Sequence, residues 1–235
     1  KFPGLLFYAF EVQNFLCKIL LKNLKLNNIK NIKIFNYAIS DKNYKKKIFM
    51  PDYNLEKNLG SFSLKNKFVS HSNSVKNFGE RKAEINFKKL DSILKNENIL
   101  FIKSDTELHE YEVFRGAKNL LTKKKPALLF ETWPENRPQF KDYQLRIKQT
   151  LNFLISKNYK LIRGYRETFG FKKIDNLSDH QTVKYFFDNM KNYDELSFKI
   201  NNFTISQLMI MIIKQIIKAF SWRIKNYFLF IKNDT

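Results

Sequence analysis

The apolar positions of the chain fall into short blocks separated by polar joints. Leu5 to Phe10 is a continuous apolar run closed by Glu11, the pattern of a strand buried on both faces. Phe15, Ile19, Leu20 and Leu24 then recur at helical spacing as far as Asn27-Asn28, which reads as a helix stop. Asn31 to Ala38 is a second strand ending at Ser40-Asp41, so the first forty residues form a strand, helix, strand unit of a parallel sheet. Lys45 to Pro51 and Glu84 to Leu90 read as more exposed strands flanking a polar, Asn/Ser-rich loop. Ile99 to Lys103 is the next buried strand, with a helix expected from Leu108 to Leu121 and another apolar strand from Ala127 to Glu131. Gln144 to Ser156 is amphipathic at helical period, and Tyr159 to Arg163 returns to strand. Ile205 to Phe220 is apolar with periodic lysines, and Tyr227 to Ile231 reads as a last strand. The alternation predicts one doubly wound α/β domain, with strands near 6–11, 32–37, 99–104, 127–131 and 159–163 largely parallel.

Composition narrows this picture. The 235 residues are 43% hydrophobic and 16% aromatic, enough for a real core. A net charge of +21 raises nucleic acid or an anionic membrane as partners. Lysine greatly outnumbers arginine, however, beside abundant Asn, Ile and Phe, as AT-rich coding produces. No Arg-and-aromatic stripe is present, so no nucleic-acid partner is expected. Cys17 is the only cysteine and His71, His109 and His180 are scattered, which excludes an intrachain disulfide and a Cys/His zinc cage. No segment has the apolar length of a membrane span.

Ligands of an open parallel sheet bind beyond the carboxyl ends of its strands, and three inferred strands end there in acids: Glu11, Asp105 and Glu131. Each acid alone is equally well explained as complementing a helix dipole, but three along one edge argue for a site that grips a ribose diol. The densest stretch is Ile102 to Glu110, where Asp105, Glu107, His109 and Glu110 crowd one strand-to-helix turn. A capping box of Ser104 with Glu107 accounts for only part of it.

The string IKSDTELHEYEVFRGAKNLLTKKKPALLFE, from Ile102 to Glu131, resembles the most diagnostic stretch of FkbM-type methyltransferases. Asp105, Glu107, Glu110, Gly116, Ala117, Pro126 and Glu131 fall into the family's register. YAFE with Asn14, NLKLNN, NYAISD, NLGSFSL and LDSIL agree in order, and NYFLFIKND looks like the closing strand. Two departures stand out: Leu108 occupies a glycine position, where a positive φ would strain the turn, and Ser104 an apolar one.

The resemblance implies a Rossmann-like class I methyltransferase fold over residues 1–174, N-terminally incomplete, with 175–235 as a C-terminal extension. It implies S-adenosylmethionine as cofactor, with Glu11 on its ribose, Ala38, Ser40 and Asp41 beside adenine, and Asp105 near the methionine part. Methyl transfer to a hydroxyl of a sugar or related small molecule is expected, with Asp105, Glu107 and His109 as catalytic candidates. No metal is expected, although hard cations favour carboxylates such as Asp105 and Glu107. The family's glycine-rich loop has no counterpart before Glu11, where Pro3-Gly4 supplies one glycine. Weak or absent cofactor binding is therefore expected, and the strands ending at Glu11 and Asp105 are expected to lack a neighbour. The competing expectation is a degenerate, non-catalytic member of the fold. The location expected is cytoplasmic, with residues 205–225 as a possible peripheral membrane contact.

Overall fold

A computed structural model describes residues 5–56, 59–64, 78–132, 141–163, 167–172 and 228–233. The expected apolar helix over 205–225 lies outside them. Among the described residues, a seven-stranded mixed sheet carries the fold in the order β2-β1-β10-β6-β7-β9-β8. Its strands are β1 (Leu5–Phe10), β2 (Ile32–Phe35), β6 (Ile99–Ser104), β7 (Ala127–Glu131), β8 (Lys160–Arg163), β9 (Glu167–Phe171) and β10 (Phe228–Asn233). A second sheet of order β3-β5-β4 joins β3 (Ala38–Ile39), β4 (Tyr44–Pro51) and β5 (Phe78–Lys88).

Strands β1 and β2 are parallel, as are β6 and β7, while β9 and β10 run against their neighbours. The five strands expected to be parallel, β1, β2, β6, β7 and β8, therefore all point one way. Strand β9 was not expected. It is five residues long with a glycine inside, too short to show a period, and it pairs with both β7 and β8. Gly170 fits there because a Cβ would come within 3.1 Å of Leu161 and 3.5 Å of Leu128.

The neighbour expected to be missing between β1 and β6 is supplied by β10. It pairs antiparallel with all of β1, from Leu5↔Asn233 to Phe10↔Phe228, and with β6 from Leu229↔Lys103 onward. The closing strand thus lies at the centre of the sheet. Physically, the buried amides and carbonyls of β1 and β6 need partners, and β10 provides them.

Helix α1 (Asn14–Leu26) links β1 to β2 and turns Cys17 and Leu20 inward. It ends where expected, with Asn28 at a φ of 51°. Helix α2 (Leu90–Ile93) precedes β6, α3 (Glu110–Gly116) links β6 to β7, and α4 (Lys141–Ile155) leads to β8. Chain order moves from β1 outward to β2, but from β6 outward to β7 in the opposite direction, so right-handed crossovers put α1 and α3 on opposite faces. Among the described residues no helix is long and apolar enough to cross a membrane.

Helix α3 is shorter than its apolar pattern suggests. It stops at Gly116, and a separate π-helical turn follows at Leu120–Lys124. Asp91 caps that turn, accepting the amides of Asn119 at 2.8 Å and Leu120 at 2.9 Å. The buried core behind α3 holds Val113, Phe114, Leu121, Leu128 and Phe130. Gly116 presses directly on the second sheet, where a Cβ would lie 2.0 Å from the Ser40 carbonyl oxygen. Backbone oxygen cannot yield as a side chain can. Gly116→Ala is predicted to destabilise the protein by about 1–3 kcal/mol in denaturant titration, and an unchanged midpoint would show that the contact relaxes freely.

Candidate functional site

The carboxyl ends of β1 and β6 lie on either side of β10 where strand order reverses, the position at which open α/β sheets bind ligands. A pocket opens there. Its first wall is the end of β1 with Glu11, Val12 and Gln13, and its second is Tyr37, Ala38 and Ile39. Phe62 and Leu64 form the third, and Asp105, Thr106 and His109 close it. The segment carrying Phe62 is fastened at both ends: Gln13 Nε2 donates to the Leu59 carbonyl at 3.0 Å, and Ser63 Oγ to the Glu107 carbonyl at 2.8 Å.

Glu11 is 2% exposed and its two oxygens differ. Oε1 accepts the Gln13 amide at 2.6 Å, whereas Oε2 is buried with no hydrogen-bond partner among the described residues. Burial pushes its carboxyl up to about 8, against the opposing pull of the Gln13 and Val12 amides. Asn36 locks the turn by donating to the carbonyls of Glu11 at 2.8 Å and Val12 at 3.0 Å. A buried carboxyl at a pocket wall with one oxygen uncommitted is expensive unless something supplies hydrogen-bond donors.

The β6–α3 turn is built differently from the capping box expected of Ser104 and Glu107. Ser104 is fully buried and its hydroxyl has no partner among the described residues. Glu110 performs the capping instead, accepting the Thr106 amide at 2.7 Å and the Thr106 hydroxyl at 2.8 Å. Burial raises the Glu110 carboxyl to about 7. The turn passes through left-handed backbone at Glu107 (φ 47°) and Leu108 (φ 74°). Leu108 is nonetheless buried, so the strain foreseen from the missing glycine is real and offset by packing.

The expected site residues divide into three groups. Glu11, Ala38, Asp105 and His109 line the pocket. Ser40 and Asp41, expected beside adenine, are turned toward α3: Ser40 Oγ meets His109 Nε2 at 3.3 Å, and Asp41 pairs with Arg115 at 3.4 Å. Gly116 holds α3 against this strand, which explains their direction. Glu107 and Glu131 lie beside the pocket with Asp105, one oxygen of each within 4.8 Å of the others. Glu167 faces Glu131 across the β7–β9 ladder, and Lys103 offsets part of the charge at 3.4 Å from Asp105. Such a carboxylate group could hold a hard divalent cation.

His109 is 6% exposed, and burial pulls its imidazole down to about 4, so it is neutral at physiological pH. Its Nδ1 lies 3.6 Å from Glu112 Oε2, too long for a hydrogen bond. Arg146 of α4 holds the other oxygen of Glu112. Gln13, Phe62 and Thr106 were not expected in the site. Gln13 follows Glu11 by two positions, and Phe62 sits inside NLGSFSL, so register with the neighbouring motif was the available signal.

The family described as methyltransferase FkbM domain matches residues 3–166. A crystal structure of a methyltransferase FkbM from Methylobacillus flagellatus KT is similar at 13% identity, covering 70% of this chain and 36% of that one with a TM-score of 0.45. The chain thus spans about a third of that protein's length. No curated protein matches.

Leu108 offers a direct measure of the strain. Alanine there keeps the Cβ that opposes a φ of 74°, and glycine removes it. Leu108→Gly is therefore predicted to be more stable than Leu108→Ala by about 1 kcal/mol, opposite to the usual cost of glycine. Greater stability of the alanine variant in urea titration would disprove a left-handed Leu108.

Proposed function

Since the chain belongs to the FkbM methyltransferase family, we propose that its pocket takes the adenosyl end of S-adenosylmethionine and serves methyl transfer to a hydroxyl of a sugar or related small molecule. The reading rests on one observation: the buried Glu11 carboxyl, at the end of β1, has one oxygen held by Gln13 and one without a partner among the described residues. A ribose diol offers two adjacent hydroxyl donors, which fits that oxygen. Val12, Ala38, Ile39 and Phe62 supply the apolar surfaces that a purine ring needs.

In this reading the fold is Rossmann-like, and β10 occupies the seat that class I methyltransferases give to their first strand. Among the described residues no glycine lines the pocket. The methionine end therefore has no closely approaching backbone to wrap it, and affinity for S-adenosylmethionine is weak.

When bound, S-adenosylmethionine supplies a methyl group activated by its sulfonium. The chain's part is alignment and proton management. Asp105 and Thr106 stand on the side of the pocket facing Glu11 and orient the acceptor. His109 lines the pocket, although burial makes its imidazole a weak base and its Nε2 meets Ser40. Glu107 lies beside Asp105, and His109 and Glu107 are the candidates to receive the acceptor's proton. A second reading, a family member that binds without catalysing, draws support from the strained Leu108 and the glycine-free pocket.

Glu11 gives the test. With its carboxyl raised to about 8, it is mostly protonated in the empty pocket at pH 7. Diol donors favour the ionised form, so binding releases a proton below that value and affinity increases with pH, levelling off above it. Cys17 and Tyr53 are pushed up to about 12, by burial first and the Glu11 charge second, and do not titrate in this range. Calorimetric titration with methylthioadenosine, which keeps the adenosyl end but has no titrating amine, should show affinity increasing by up to about tenfold per pH unit between pH 6 and 8. Glu11→Gln should bind more weakly and with a shallower pH dependence, keeping only what Glu110, held near 7 beside Thr106, contributes. Equal binding by the variant, or a flat wild-type profile, would remove the ribose role from Glu11.

A further inference from the structure

Helix α1 has two apolar faces and only one is buried. Cys17 and Leu20 face the sheet, yet Phe15, Ile19 and Leu26 are 42%, 40% and 69% exposed. Their spacing of four and then seven residues puts them in one stripe, on the side away from Cys17 and Leu20. Phe15 stacks on Tyr53 at 4.4 Å between ring centroids, which carries the apolar surface onto the turn after β4. Leu55, two residues further on, is 63% exposed.

The charge around this stripe is one-sided. Lys18, Lys22 and Lys25 are exposed on α1, and Lys30 and Lys33 are exposed just after it. No Asp or Glu occurs in the chain between Glu11 and Asp41, and Asp52 and Glu56 flank the Tyr53–Leu55 end of the patch. Acid-free basic runs also occur elsewhere, as between Glu112 and Glu131, so a run of lysines alone marks nothing in particular. Here Lys18, Lys22 and Lys25 lie among and beside exposed apolar side chains of one helix face.

Solvated lysines beside exposed Phe, Ile and Leu side chains on a 13-residue helix are the chemistry of an interfacial helix lying in the plane of a bilayer. Anionic headgroups meet the lysines while the apolar stripe enters the acyl boundary, and the lysine stems reach back to the headgroups. A protein partner would have to supply both an apolar groove and an acidic rim, whereas an anionic bilayer has both everywhere. We propose that the outer face of α1, with Phe15, Ile19 and Leu26 at its centre, docks the protein on an anionic lipid surface. The helix starts three residues after Glu11, so docking would hold the pocket's β1 wall close to the bilayer.

The test is flotation of the full 235-residue protein with vesicles of phosphatidylglycerol and phosphatidylcholine, against phosphatidylcholine alone. The wild type should float with the anionic vesicles and detach as salt is raised. A Phe15→Ser, Ile19→Ser, Leu26→Ser variant and a Lys18→Glu, Lys22→Glu, Lys25→Glu variant should each lose at least about tenfold in partitioning with an unchanged circular dichroism spectrum. A fluorophore attached through Leu26→Cys, with Cys17 buried beneath, should shift to the blue on adding anionic vesicles, which keeps the proposal testable if a triple variant fails to fold. Three results would overturn it: no wild-type binding, variants that float like the wild type, or a wild-type dimer that the serine variant makes monomeric.

Discussion

Every buried strand must have its amides and carbonyls paired, and this requirement organises the sheet around β10. Strands β1 and β6 end at the pocket, and each carries one of its acids or leads into it. They can stand side by side in register only if something fills the space between them. Strand β10 does so along the whole of β1 and into β6. Being antiparallel, it brings its first residue, Phe228, beside Phe10 at the pocket edge. The separation of Glu11 from Asp105, and so the width of the pocket, is set by one intervening strand. Residues far apart in the chain thus fix the geometry of the site.

The second constraint is steric. Gly116 allows α3 to lie against Ser40, and that contact points Ser40 and Asp41 at the helix instead of the pocket. It also buries His109, whose neutrality follows from that burial. A single missing side chain therefore decides which polar groups reach the pocket and which serve as struts. The strained Leu108 lies at the same junction, where the turn must deliver Thr106 and His109 to the pocket within four residues.

Much of this was legible in the amino-acid sequence. Continuous apolar runs such as Leu5–Phe10 and Ala127–Glu131 can only be strands buried on both faces, and they are. The acids closing those runs marked the sheet edge that carries the pocket. Less was legible where tertiary contacts overrule local pattern. β9 is too short and glycine-containing to show a period, and α3 stops at Gly116 though apolar spacing continues. The cap moved from Ser104 and Glu107 to Thr106 and Glu110 because backbone at positive φ intervenes. Gln13 and Phe62 enter the pocket through contacts with residues some fifty positions away, which spacing along the chain does not encode.

Glu11 is the group proposed to receive a ribose. A crystal structure of this chain grown with S-adenosylhomocysteine tests that claim most directly. The account predicts both ribose hydroxyls within hydrogen-bond distance of the Glu11 carboxylate and the purine between Ala38 and Phe62. A nucleoside bound elsewhere, or one whose ribose does not touch Glu11, would contradict it.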